Sequence, residues 1–156
     1  MNQQINKQDN LSSHDKNVGK NGNKDLSELA NDAKKIFLNN SDESVFKNLL
    51  NMQECQQLDK VFEQIENFVY KYAESVTTNQ LRNVYNEIVK IQTIRDLKLI
   101  RPNLAYIAAR QDNKKAKEFM AFIDLLIQKV NTEKELQSFK KTMEAIVSYH
   151  KFYAKN

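Results

Sequence analysis

From Asp25 onward, apolar residues recur every three to four positions, the spacing of helices that each bury one face. Leu26, Leu29, Ala30, Ala33, Ile36 and Phe37 form the first stripe, and Asn39-Asn40-Ser41 ends it. Ser41 is placed to cap a second helix that begins near Asp42 and carries Val45, Phe46, Leu49 and Leu50 on one side. A third helix keeps Leu58, Val61, Phe62, Ile65, Phe68, Val69, Tyr72 and Val76 on one face, about five turns in all. It stops at Thr77, where Thr77-x-x-Gln80 reads as a capping box that opens the next helix, with Leu81, Val84, Tyr85, Ile88 and Ile91 inward. Pro102 fits the first position of a helix, so the chain is expected to bend near Ile100. There Leu104, Ile107 and Ala108 make one stripe, while Asn103, Tyr106 and Arg110 share another direction. Ala116 to Val130 repeats the pattern, and a second capping box, Thr132-x-x-Glu135, starts a closing helix through Leu136, Phe139, Met143, Ile146, Val147, His150 and Tyr153. The pattern predicts an all-α fold, a compact bundle of five to six amphipathic helices, with no strand alternation and no internal repeat.

The first 24 residues break this pattern. They hold both glycines of the chain, six asparagines and only four large apolar side chains, too little to offset the entropy of ordering them. Three divisions follow: a disordered arm over 1–24, an N-terminal helical extension over 25–56 and a helical-bundle domain over 57–156. A single Pro, two Gly and 40% apolar residues in 156 positions suit one domain of long helices. One cysteine, Cys55, leaves no internal disulfide and no cysteine-based zinc site. No stretch approaches the length of a membrane helix or a signal peptide, so a cytoplasmic protein is expected.

Charge changes the picture once it is located. The formal charge is +4, yet Arg82 to Lys117 holds nine bases against three acids, and the remainder holds 15 against 17. A basic segment in an otherwise slightly acidic chain points to a polyanion, with nucleic acid the usual candidate; a solvated helix face is the alternative. Arg82 falls in the second turn of its helix, where the dipole offers a cation nothing, which suggests an external anion. Enzyme chemistry finds little footing. His14 lies in the arm, His150 lies on the apolar side of the last helix, and no metal-ligand spacing or phosphate loop occurs. Cys55 reads as a small buried apolar group. Neither a cofactor nor a metal is expected. Tyr106 admits two readings, a lean against a sugar or base and a place at the core edge, and the second is the commoner use. Tyr149, Phe152 and Tyr153 beside Lys151 likewise read as packing before they read as stacking.

Three segments carry a family likeness: Val76-Thr77-Thr78-Asn79-Gln80-Leu81-Arg82, Pro102 to Arg110, and Glu144 to Tyr153. In that order they resemble the small helical subunit of the type III-A CRISPR effector, the Csm complex, over about Leu58 to Tyr153. Ala109 stands where that family has Gly, and Ser148 where it has Ala. The resemblance implies a non-catalytic subunit that supports pairing of guide RNA with target RNA in antiviral defence, beside the repeated backbone subunit and copies of itself. Arg82, Arg110 and Lys151 match the motifs and become the candidate RNA contacts. Lys90, Arg95, Arg101, Lys114, Lys115 and Lys117 join them on charge alone. The rival expectation is a helical adaptor whose basic segment meets an acidic protein.

Overall fold

A computed structural model describes residues 24–155. The arm expected over 1–24 therefore lies, apart from Lys24, outside the described residues, as does His14. Among the described residues eight helices run in order: α1 Leu26–Leu38, α2 Glu43–Asn48, α3 Leu58–Tyr72, α4 Thr78–Val89, α5 Ile94–Leu99, α6 Arg101–Ala109, α7 Lys114–Lys129 and α8 Glu133–Tyr153. Six have nine or more residues, and α2 and α5 have six each. No strand occurs among the described residues. The all-α bundle expected from the sequence is the fold.

Local chemistry sets most boundaries. Asp25 caps α1 by accepting the Glu28 N–H at 2.8 Å, and Asn39 and Asn40 end it in the left-handed region, with φ of 46° and 67°. Both expected capping boxes form: Thr77 with Gln80, and Thr132 with Glu135. Four expectations shift. Asp42, not Ser41, caps α2; the Ser41 hydroxyl instead accepts from Gln64 at 3.3 Å. The third helix ends at Tyr72 rather than Val76, because the His150 ring bonds the Val76 carbonyl at 2.7 Å and Ser75 turns back onto Tyr72. Between Ile91 and Pro102 the chain makes α5, a short helix that the periodicity did not announce; Thr93 caps it and Leu97 is its one buried residue. The bend at Ile100 is present, with Pro102 second rather than first in α6.

One contiguous core is built around two central helices, α7 and α8. α7 packs between α1 and α6, α8 packs between α3 and α4, and α3 touches both α1 and α7 to join the halves. Phe119, Met120, Phe122, Ile123, Leu126 and Ile127 bury α7 on nearly every side. Phe37 of α1, Phe46 of α2, Phe68 and Phe122 form one cluster of rings whose contacting pairs have centroids 4.4 to 6.3 Å apart, so both N-terminal helices share this core. Two buried hydroxyls on α8 hold the turn after α2. Thr142 donates to the Leu49 carbonyl at 2.6 Å, and Ser138 accepts from the Met52 N–H at 3.0 Å. Such pairing removes the cost of burying unsatisfied polar groups, about 1–3 kcal/mol each.

Candidate nucleic-acid interface

The Thr77 cap begins the site. His150, buried in α8, holds the Val76 carbonyl just before that cap, and thereby seats its neighbour Lys151 beside the start of α4. Thr77, Thr78, Asn79, Arg82 and Lys151 line an open cleft of about 300 Å³. Arg82 and Lys151 are exposed and have no carboxylate partner among the described residues. Two cations at the positive end of a helix, without neutralising acids, form a local anion-attracting field.

Arg110 caps the C-terminal end of α6, exposed, with its guanidinium 5.6 Å from the Tyr106 ring centre. Tyr106 is 61% exposed, so the ring is not at the core edge where packing reasoning put it. Side chains tie α6 to α4 at both ends. Gln80 donates to Gln111 at 3.1 Å, and Asn103 donates to Glu87 at 3.2 Å, which sets the two helices antiparallel. Gln80 and Glu87, two turns apart, mark the flank of α4 that faces α6. Tyr85, Val89 and Arg82 lie toward α8 instead, sharing clefts with Lys140, Glu144 and Lys151. Arg82 and Arg110 therefore sit on opposite flanks of one helix, with the exposed Asn83 and Asn86 between them.

The remaining candidates divide by what their heads touch. Lys90 and Arg95 are exposed without a carboxylate partner among the described residues, as is Lys115; Lys117 is half-buried and also unpaired. Lys114 reaches Glu118, one turn ahead, at 3.8 Å. Arg101 is turned inward, placing Nε 2.9 Å and Nη2 3.4 Å from the two oxygens of Asp124, whose side chain is 2% exposed. Gln128 donates to the same carboxylate at 2.9 Å. Charge position alone could not separate Arg101 from its neighbours. A signal did exist: Asp124 is a lone acid inside the apolar run Phe119 to Ile127, and a buried carboxylate needs a partner.

Other inward cations also went unread in the sequence. Lys98 donates to the Ile127 and Gln128 carbonyls at 2.6 and 2.9 Å, closing the end of α7, and Lys140 donates to the Ile91 carbonyl. Burial, and then Arg101 nearby, lowers the pKa of Lys98. Tyr72 donates to buried Glu118 at 2.8 Å, and burial followed by that carboxylate pushes the phenol well above its usual range. His150 is a core histidine, as expected, its pKa lowered by burial against the opposing pull of the Val76 and Ala73 carbonyls. Cys55 is half-buried at the core margin. No group of metal-ligating side chains occurs among the described residues, and no described helix is long and apolar enough to cross a membrane.

A family model described as Csm2 Type III-A matches residues 52–156. The chain belongs to that family. It is thus a small subunit of the type III-A Csm complex, in a family whose members are generally non-catalytic components. The Csm2 match begins in the turn after α2 and takes in all three signature segments. No curated protein and no solved structure matches the chain.

Proposed function

We propose that this Csm2-family subunit binds RNA without cutting it, supporting guide RNA paired with target RNA through phosphate contacts in antiviral defence. In this reading it is a cytoplasmic protein that lies beside the repeated backbone subunit and copies of itself. The observation that carries the reading is the convergence of Arg82 and Lys151 on one cleft without a neutralising carboxylate. Exposed Lys90, Arg95, Arg110 and Lys115 extend the field. A strand crossing the outer face of α4, over Asn83 and Asn86, meets Arg82 on one side and Arg110 on the other. Such contacts track a backbone and carry no base sequence.

The test is RNA affinity measured against salt for the full chain, Arg82→Ala, Arg110→Ala and the double variant. Each lost phosphate contact lowers the slope of log affinity against log salt by about 0.7–0.9. Unchanged affinity and slope in the double variant would refute the surface. A second reading, an adaptor for an acidic protein, draws on the exposure of Val89, Leu99 and Tyr106 among these cations. Nuclease treatment separates the two: it releases partners held through RNA and leaves protein partners bound.

A further inference from the structure

Phe152, in the last turn of α8, is 79% exposed, and Tyr70, near the end of α3, is 65% exposed. Neither ring serves the core. Tyr153 links them: its ring meets Tyr70 at 5.1 Å and Phe152 at 4.9 Å, nearly perpendicular to each, and its hydroxyl donates to Glu66 at 3.0 Å. Phe152 is thus braced along one side by an anchored ring while most of its surface faces water. Its chain neighbour Lys151 lines the cleft that Arg82 shares. Successive residues of a helix point about 100° apart, so the exposed ring and the cation-lined cleft lie on adjacent faces of α8, a pair that matches a ligand joining a planar base to an anionic phosphate.

We propose that Phe152 is a stacking platform for one unpaired RNA base whose backbone phosphate occupies the Arg82–Lys151 cleft. The platform rests on the reading that this cleft takes RNA, and it adds which nucleotides the cleft takes. A base inside a duplex has both faces covered by its neighbours, so the ring selects a single-stranded or terminal nucleotide. Beyond Tyr153 the carboxylates are engaged, Glu66 by the Tyr153 hydroxyl and Glu74 by Lys155 at 3.3 Å. One ring offers one open face, which limits the platform to a single base. An acidic protein segment is the competing occupant, but the exposed rings here are Phe152 and Tyr70, two side chains against the roughly 20–30 residues a side of a stable protein interface.

The experiment titrates the full chain with a single-stranded RNA carrying one 2-aminopurine and with a blunt duplex of the same length. Phe152→Ala is expected to weaken single-strand binding about 5-fold or more, to abolish the stacking quench of the probe, and to leave the salt slope and duplex affinity unchanged. Phe152→Trp keeps the π-face and retains binding, whereas Phe152→Leu, apolar but without one, behaves like Ala. Arg82→Ala lowers the salt slope. If Arg82→Ala weakens binding and Phe152→Ala does not, the platform is overturned and the phosphate seat stands. A wild-type chain that binds neither RNA overturns both. A Phe152→Ala chain that keeps its RNA affinity but no longer joins the other Csm subunits assigns the ring to a protein and overturns the platform.

Discussion

Replacing Arg101 with Met tests whether its charge serves the fold or the RNA. The guanidinium forks onto Asp124, a carboxylate 2% exposed, while the arginine side chain itself is 39% exposed. Removing one partner of a buried pair costs about 3–5 kcal/mol, because the other charge is left in the core. Two features reduce that figure here. Gln128 still donates to Asp124 at 2.9 Å, and the space vacated by a half-exposed arginine admits water. The expected loss is about 2–3 kcal/mol, which at about 2–4 °C per kcal/mol lowers Tm by roughly 5–10 °C. The assay is thermal and urea unfolding followed by helical circular dichroism, beside RNA affinity at a temperature where the variant stays folded. Adding Asp124→Leu removes the stranded charge and should recover most of the lost stability, since an apolar replacement of a buried pair is often neutral. The salt slope of RNA binding should not move. If Arg101→Met melts like the wild type but loses salt slope, the arginine contacts phosphate and the internal pair is dispensable.

Three further outcomes follow from the packing. The depressed pKa of His150 makes the neutral ring the folded form, so its contribution is complete above the unfolded value of about 6.5 and is lost as pH falls through the lower folded value. Melting temperature should therefore drop more between pH 7.5 and 5.5 in the wild type than in His150→Gln, and equal drops would refute the assignment. Thr77→Ala removes the cap of α4 and should cost about 1 kcal/mol in urea unfolding; a loss of RNA affinity with no loss of stability would give the Thr77 hydroxyl a ligand role. Phe37→Ala should cost about 3–5 kcal/mol, because its ring meets Phe46, Phe68 and Phe122 within 6.3 Å. A near-neutral result would mean that α1 is not part of the core.

Periodic stripes and capping boxes made most of the fold legible, because both are encoded within a few residues of where they act. Thr77 with Gln80 and Thr132 with Glu135 needed only four positions each. What was missed depends on distant partners. The early end of α3 is set by His150, which lies 74 residues from the Val76 carbonyl it holds. Ser138 and Thr142 sit on the core face of α8 because the turn at Leu49 to Met52 needs them, 86 and 93 residues away. α5 escaped because six residues give too short a window for a helical period. The site shows the same limit. Arg82 was readable as an odd cation in a helix start, but its cleft exists only once Lys151 arrives from the far end of the chain. Tyr106 was misjudged because helical spacing locates a face without saying whether another helix covers it.

The basic segment is less of a binding surface than its sequence charge suggests, and the difference can be counted. Of the nine bases between Arg82 and Lys117, Arg101 is neutralised by Asp124, Lys114 is paired with Glu118, and Lys98 is turned onto backbone carbonyls. Arg82, Lys90, Arg95, Arg110, Lys115 and Lys117 remain without a carboxylate among the described residues, and Lys151 joins Arg82 from outside the segment. If every one of these met a phosphate of a single strand, the salt slope would reach about 5, at about 0.7 per contact. Arg82 and Arg110 face opposite flanks of α4, so one strand reaches both only by crossing that helix. A monomer is therefore expected to fall well short of this ceiling. A slope near the ceiling would require either a longer path around α4 or cations from the first 23 residues, and a chain beginning at Lys24 distinguishes the two.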